Sequence, residues 1–366
     1  MKICQLVAYV SKDGAYGGPT AVAFAQCHAL SQNHDVTLAA GVDHARTSHR
    51  RAPYKTQFKR AYRPLRSFGS LISPALLYWF ARNARTFDIV HIHLARDFLV
   101  MPAAVLCRLM RVPYVVQTHG MIKPARGVAE RLYDMALTRT ALMGAARLFF
   151  LTSVESANLT ALRGPDRLQE LHNAVIVPAH VAPRRTPPTP FTVLFCSRLH
   201  KRKRPELFIA AAHELERRYP GRYQFRLVGP DGGQLRSILD ASAAFPDGNF
   251  SYEGAVAPSD VSAVLAKSDV LVLPSINEPF PMIVLEALSN GVPAVIDETC
   301  GLAPLVNGRP GVRVVNSNAS SLADAVDSVL SNYAEESTGA RQVASKTFSL
   351  ESLGLQLQTV YQDSAA

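Results

Sequence analysis

Two glutamates eight residues apart carry the strongest chemical signal in this chain. They lie in Asp269-Val-Leu-Val-Leu-Pro-Ser-Ile-Asn-Glu278-Pro-Phe-Pro-Met-Ile-Val-Leu-Glu286-Ala-Leu-Ser-Asn-Gly291. The run from Val270 to Leu273 is continuously apolar, the pattern of a parallel-sheet strand covered on both faces. Pro279 and Pro281 suit a helix entry and Gly291 its stop. Glu278 is therefore expected at the carboxyl end of a strand. Glu286 falls about one turn into the following helix, facing the same crevice. Open α/β sheets bind their ligands in that crevice. Carboxylates placed there accept hydrogen bonds from hydroxyls, which points to a polyhydroxylated ligand. The plainer alternative is that Glu278 caps the helix and Glu286 is a solvated helix residue.

Three further segments have residue types suited to the same chemistry. Cys196-Ser-Arg198-Leu-His-Lys-Arg-Lys203-Arg-Pro-Glu206 follows an apolar strand and opens a helix. A helix N-terminus favours anions. Arg198 adds a planar fork and Lys203 a point charge, a combination suited to a diphosphate. Lys201, Arg202 and Arg204 are expected to be solvated. Lys12-Asp13-Gly14-Ala-Tyr-Gly17-Gly18-Pro19-Thr20 also joins a strand to a helix, and adjacent glycines let a backbone approach a phosphate or sugar closely. It lacks the G-x-G-x-x-G spacing of a dinucleotide site. Val116-Gln-Thr-His119-Gly120 ends another strand. His91 and His93 alternate in a strand, but no third ligand accompanies them, so no metal site is expected.

These segments resemble the retaining glycosyltransferases of family 4, also described as glycosyl transferases group 1, which have the two-Rossmann-domain GT-B fold. The match rests on Glu278-x7-Glu286 with its Pro-Phe-Pro loop, on Arg198-Leu-x-x-x-Lys203, on the Gly17-Gly18 loop and on Thr-His119-Gly. The resemblance implies that Glu278 and His119 meet the donor sugar, and that Glu286 holds the ribose. It implies that Arg198 and Lys203 neutralise the leaving nucleoside diphosphate, under the Gly17-Gly18 loop. Phe280, Pro281 and Met282 would line the donor. Gly229, in Leu-Val-Gly229-Pro-Asp-Gly, and Val256, in Tyr-Glu-Gly-Ala-Val256, would hold the base through backbone groups. No acidic residue immediately follows Val256, which tilts the base towards uracil over guanine. The chain departs from the family at Pro281, Arg204 and Ala174, where glycine is common. Pro281 cannot donate a backbone hydrogen bond. There is no Asp-x-Asp motif, the metal-holding element of single-domain glycosyltransferases, so neither metal nor cofactor is expected.

The rest of the chain must supply the scaffold. At 366 residues it exceeds a single core, and its 48% apolar content suits a globular α/β protein. Repeated strand–helix units predict a doubly wound parallel sheet in residues 1–182. Pro183-Arg-Arg-Thr-Pro-Pro-Thr-Pro190 holds four prolines in eight residues and reads as a linker. A second strand–helix series fills 191–345. The tail 346–366 reads as an amphipathic helix, which the resemblance sends back to the first domain. The two domains are expected to face each other across a cleft. The five cysteines have no paired spacing and read as buried hydrophobes of a reducing compartment. No segment reads as a signal peptide or a membrane span.

Formal net charge is +10. Between His44 and Phe87 there are ten Lys and Arg and no acidic residue, interleaved with Tyr54, Phe58, Tyr62, Phe68, Tyr78, Trp79 and Phe80. That stretch suits an anionic membrane surface or a phosphate-bearing acceptor; a solvated basic face and nucleic acid are the alternatives. Taken together, the sequence predicts a cytoplasmic retaining glycosyltransferase, peripheral on the inner face of the membrane. It would use a nucleoside-diphosphate sugar, UDP-linked over GDP-linked, and a lipid-linked or cell-surface glycan precursor as acceptor. A sugar-nucleotide epimerase of the same fold is the alternative. A basic nucleic-acid-binding protein fits less well, because it leaves the two glutamates unexplained.

Overall fold

The computed structural model describes residues 1–11, 17–43, 52–65, 67–125, 127–178, 189–316 and 318–365. Most of the expected linker and parts of the Gly-Gly loop and the basic stretch lie outside these residues. The chain divides into two compact units. One takes the described residues up to Ala174 together with the tail from Leu350, and the other takes Val175–Ser349. The second unit thus begins at Val175, ahead of the expected boundary at 182, and the tail begins at Leu350 where 346 was expected. Val175 N donates to Phe348 O at 3.0 Å, tying the start of the second unit to its end.

The first unit is a seven-stranded sheet of order β3-β2-β1-β4-β5-β6-β7. The strands are β1 (Lys2–Val10), β2 (Asp35–Val42), β3 (Lys55–Arg60), β4 (Ile89–His93), β5 (Tyr114–Gln117), β6 (Arg147–Phe150) and β7 (Leu168–Glu170). All neighbours pair in parallel. Helices cover both faces, which is why β1 and β4 read as nearly unbroken apolar runs. Two apolar clusters form, one around Leu6, Ile92 and Val116, the other around Val7, Phe149 and Leu357 of the tail helix. Sequence periodicity missed β3 and β7. β3 is Lys-Thr-Gln-Phe-Lys-Arg at the sheet edge, where one side needs no apolar cover.

The second unit is a six-stranded parallel sheet of order β10-β9-β8-β11-β12-β13. Its strands are β8 (Phe191–Cys196), β9 (Tyr223–Val228), β10 (Phe250–Gly254), β11 (Val270–Leu273), β12 (Ala294–Asp297) and β13 (Val312–Val315). Both sheets share the order 3-2-1-4-5-6, extended by one strand in the first. Each therefore has a switch point between its first and fourth strands, where the following loops part and leave a crevice. In the second unit that point lies between β8 and β11, the strands that lead to Arg198 and Glu278.

Candidate active site

Glu278 leaves the carboxyl end of β11 on a loop pinned at several points. Ile276 N donates to Arg202 O at 3.2 Å, and Asn277 N donates to Thr299 Oγ1 at 3.0 Å. Gly301 N donates to the Glu278 carbonyl at 2.8 Å. Asn277 adopts φ 50°, a left-handed turn that asparagine tolerates better than most residues. The loop across the switch point brings Lys203 Nζ to 2.7 Å from Glu278 Oε2 and Arg202 Nη1 to 3.3 Å from the same oxygen. Only 12% of the Glu278 side chain is exposed. Burial pulls Lys203 below the ordinary lysine range, and the Glu278 carboxylate opposes that shift.

Arg202 and Arg204, expected to be solvated, both have carboxylate partners. Arg202 reaches Glu278, and Arg204 Nη1 lies 3.6 Å from the buried Asp297 at the end of β12. Arg204 also sits at φ 53°, at the entry to the helix Pro205–Arg218. A left-handed conformation costs a non-glycine residue about 1–2 kcal/mol, so glycine suits this position. The Asp297 contact offsets that cost. The four-residue cationic turn is thus partly folded around two carboxylates at neighbouring strand ends.

Glu286 lies on the helix Met282–Ser289, whose entry is Pro281 at φ −76°. Its carboxylate has no hydrogen-bond or ion-pair partner among the described residues, whereas its carbonyl accepts from Asn290. Burial pushes its carboxyl up to about 7. An unpartnered carboxylate at this position is poised to accept hydroxyl hydrogen bonds. The Phe280 ring is buried and packs edge-on against Phe348, with centroids 5.8 Å apart. That ring is committed to the core, and Pro281 is buried beside it. Met282 is half-buried at the first helical position.

Gly229 ends β9 at φ 144°. A Cβ there would lie 1.9 Å from Ser197 O. Glycine is thus required for β9 to close against the loop that carries Arg198. Tyr252 Oη donates to Gly229 O at 3.1 Å, joining the ends of β9 and β10. Val256 is half-buried in the loop after β10.

His119, Gly17 and Gly18 belong to the first unit. Gly17 and Gly18 start the helix Gly17–Leu30 rather than preceding it, with Pro19 tolerated in the first turn. A Cβ on Gly18 would meet nothing within 4 Å, so packing does not demand glycine there. His119 follows β5 at φ 51°. Glu155 holds the loop around it. Its carboxylate accepts from Thr118 Oγ1, from Gly120 N at 2.6 Å and from Leu151 N at 2.7 Å.

Behind His119 runs a buried polar chain. His93 Nδ1 lies 2.8 Å from His119 Nε2, and His93 Nε2 lies 2.8 Å from Gln5 Oε1. Gln5 Nε2 donates to Tyr361 Oη at 3.1 Å, and that hydroxyl lies 2.6 Å from His91 Nδ1. Burial pushes His91 and His119 down to about 3 and His93 well below the usual histidine range, so the three rings are neutral. An amide oxygen has no proton to give. With Gln5 Oε1 facing His93 Nε2, His93 donates there, and its Nδ1 accepts from His119 Nε2–H. His119 Nδ1 is left with the lone pair. His91 and His93 thus serve this chain, and no group of three metal-ligating side chains occurs among the described residues. Sequence reasoning missed Gln5, Glu155 and Tyr361. A glutamine inside the apolar run Ile3–Val10 was the available signal for Gln5.

The basic stretch needs correction as well. Its cations are not without acidic partners. Lys55 pairs with Asp35 at 2.8 Å and Arg63 with Asp43 at 3.6 Å, both acids coming from β2 and its exit. Phe80 is fully buried, and Tyr54, Phe58 and Trp79 pack against the two cores. Tyr62 and Tyr78 remain exposed, beneath Arg60 and Arg82. Arg46, Arg50, Arg51 and Arg66 lie outside the described residues.

Sequence profiles of two families cover most of the chain. "Glycosyl transferase 4-like domain" matches residues 17–174 and "Glycosyl transferases group 1" matches 178–346. A glycogen synthase of Mycobacterium tuberculosis is 27% identical over 291 residues, 75% of this chain and 68% of that protein. A D-inositol 3-phosphate glycosyltransferase of Pseudarthrobacter chlorophenolicus is 29% identical over 66% of this chain and 62% of its own length. Among solved structures, Anabaena Alr3699/HepE in complex with UDP and glucose superimposes with TM-score 0.76, at 17% identity, over 99% of this chain and 100% of that one. Sucrose-phosphate synthase from Thermosynechococcus elongatus gives 0.73 at 16% identity, over 99% and 98%. The two parallel-sheet α/β domains have the GT-B fold of these neighbours, and the chain belongs to the group 1 glycosyltransferases.

Proposed function

We propose that the protein moves a sugar from a nucleoside-diphosphate sugar to a hydroxyl acceptor with retention of anomeric configuration. The observation that carries this reading is Glu278 held by Lys203 and Arg202 at the crevice between β8 and β11. The donor diphosphate would replace part of this carboxylate's hold on the cations. Arg198 and Lys203 would then take up the charge that develops as the diphosphate leaves. Glu278 would orient sugar hydroxyls, Glu286 would accept from the ribose, and His119 Nδ1 would accept from a sugar hydroxyl. Neither glutamate stands as one of a nucleophile and acid/base pair, as a retaining glycosidase needs. Attack from the face of the departing diphosphate is the mechanism this residue set supports, with no metal required.

UDP is the favoured nucleotide. No acidic residue stands just after Val256 to pair with guanine, and the HepE neighbour was solved with UDP. The acceptor is proposed to be a lipid-linked or cell-surface glycan precursor, met by a cytoplasmic enzyme at the inner face of the membrane. The basic stretch 44–87 supports an acidic acceptor environment, with Arg60–Tyr62 and Arg82–Tyr78 as its exposed described pairs. No helix among the described residues is long and apolar enough to cross a membrane.

The test is thermal stabilisation by a panel of nucleotide sugars, followed by product analysis of the best donor. Stabilisation by one UDP-sugar, with transfer to an acceptor, is expected. Formation of a free epimeric nucleotide sugar without an acceptor would replace this reading with that of an epimerase. Stabilisation by none of the panel would remove the donor assignment.

A further inference from the structure

The first unit carries an exposed apolar stripe that its fold does not use. Residues 128–144 form one continuous helix with a π-helical turn at Asp134–Thr138. Its inner face buries Asp134, Thr138, Ala141 and Leu142. Its outer face presents Val128, Leu132, Met135 and Met143, which are 74%, 56%, 63% and 54% exposed. Their spacing of four, three and eight residues keeps them on one side, because the wide turn takes up one extra residue. Leu109, 72% exposed, ends the adjacent helix Val100–Met110. Arg108 Nη1, one residue earlier, donates to Thr140 O at 3.0 Å, which ties that helix to this one. Large apolar side chains scattered singly need no explanation, but a row of them does.

The charges around the stripe are mostly positive, with Glu130 the one exposed acid of the helix itself. Arg131 and Arg139 are exposed on the same helix. At its C-terminal end, Arg163 Nε donates to Leu142 O at 3.1 Å and Arg167 Nη1 to Ala145 O at 3.2 Å. None of Arg108, Arg131, Arg139, Arg163 and Arg167 forms an ion pair among the described residues. Arg108 and Arg167 each donate one hydrogen bond to a carbonyl and Arg163 two, to Leu142 O and Asp166 O, which leaves further N–H groups of each guanidinium to spend elsewhere. On a second copy at this face the arginines would outnumber the acids available to pair with them, Glu130 being the one exposed acid of the helix. An anionic lipid surface meets both features. Leu132 and Met135 would enter the headgroup boundary, while the arginines reach the phosphates around them.

We infer that the helix 128–144 is an interfacial element that docks the protein on an anionic lipid bilayer through Val128, Leu132, Met135 and Met143, ringed by arginines. About 15 rises of 1.5 Å from Val128 to Met143 give a contact of roughly 23 Å lying in the membrane plane. This deepens the reading of an acceptor met at the membrane and relocates the apolar anchor from residues 44–87, whose aromatic side chains largely serve the core. Docking needs neither donor nor acceptor, so it stands or falls separately from the proposed activity.

The experiment is flotation of the full chain with vesicles of phosphatidylcholine, with and without phosphatidylglycerol, at low and high salt. Binding to the anionic vesicles is expected, weakening as salt rises. Leu132→Ser with Met135→Ser should lower the partition coefficient at least about tenfold. Arg131→Ser with Arg139→Ser should lower it about thirtyfold at low salt, from roughly 1 kcal/mol for each cation. All four positions are exposed, so the thermal midpoint of each double variant should match the parent. Leu355→Ser, an equally exposed leucine on the tail helix, should bind as the parent does. Equal binding to neutral vesicles, or no effect of either double variant, overturns the inference. So does a concentration-dependent dimer in sedimentation velocity that the Leu132/Met135 variant abolishes, since a second copy would then own this face.

Discussion

Lys203 Nζ lies 2.7 Å from Glu278 Oε2, joining the loops that leave β8 and β11 on the two sides of the switch point. The lysine that would meet the leaving diphosphate and the carboxylate that would meet the sugar are therefore one electrostatic unit before any ligand arrives. The pair is largely enclosed, with 12% of the Glu278 side chain and 16% of the Lys203 side chain exposed. Removing Glu278 strands Lys203, and removing Lys203 leaves Glu278 only the more exposed Arg202, so either loss costs more than that of a surface pair.

That coupling sets the first expectation. Glu278→Gln and Lys203→Ala should each lower kcat by roughly tenfold to a hundredfold, the worth of a charge-assisted hydrogen bond at 1.5–3 kcal/mol. The double variant should fall well short of the product of the two effects, because the second change removes a partner already lost. Initial rates with the identified donor measure this. Strict multiplication of the two losses would show that the residues act independently.

Glu286 should respond differently, and with a pH signature. Its carboxyl is raised to about 7 by burial. In the folded protein it therefore keeps a proton between about 4.5 and 7 that the unfolded chain releases. Stability from this group is full below the unfolded value and is lost as pH rises towards 7. Glu286→Gln should raise the thermal midpoint at pH 8 relative to the parent and leave it nearly unchanged at pH 4. The same variant should weaken donor binding more than it slows turnover, as read by calorimetric titration with UDP. A variant that binds UDP as tightly as the parent would remove the ribose assignment.

The buried histidines titrate in the opposite sense. His91 and His119 are held near 3, below the unfolded value of about 6.5. The unfolded chain takes up protons first as pH falls, so stability is present above 6.5 and lost below it. Each neutral ring contributes a slope of up to about 1.4 kcal/mol per pH unit in that window. Urea unfolding between pH 7 and 5 should show it, and His93→Gln should reduce the slope. Because His119 stays neutral, no step in turnover between pH 5 and 8 should trace to its protonation. Tyr361→Phe should destabilise by about 1–3 kcal/mol through the buried groups it leaves unpaired.

Metal removal should leave activity largely intact. In the proposed reading Arg198, Arg202 and Lys203 would supply the positive charge that a divalent cation supplies elsewhere. Dialysis against EDTA followed by rate measurement checks this. Complete loss, with recovery on adding magnesium or manganese, would assign the leaving-group charge to a metal instead.

Local pattern carried much of this protein. Val270–Leu273, Glu278 and the helix bearing Glu286 are contiguous, so apolar runs and helix-stop residues place both carboxylates at a strand end without any knowledge of neighbours. The same holds for Gly229, whose conformation is a local demand of the turn after β9. The pairing of partners was not legible. Lys203 and Glu278 are 75 residues apart, and Tyr361 and His91 are 270 apart. What joins them is strand order, and a crossover connection leaves no trace of that order in the residues it joins. The fates of Arg202, Arg204 and the Phe280 ring depended on it too, because a charge or ring near a strand end turns towards whichever carboxylate or core the adjacent strand brings. The apolar stripe at 128–143 was hidden for a related reason. A row of apolar residues on a helix reads as core until the sheet shows that the helix packs by its other face.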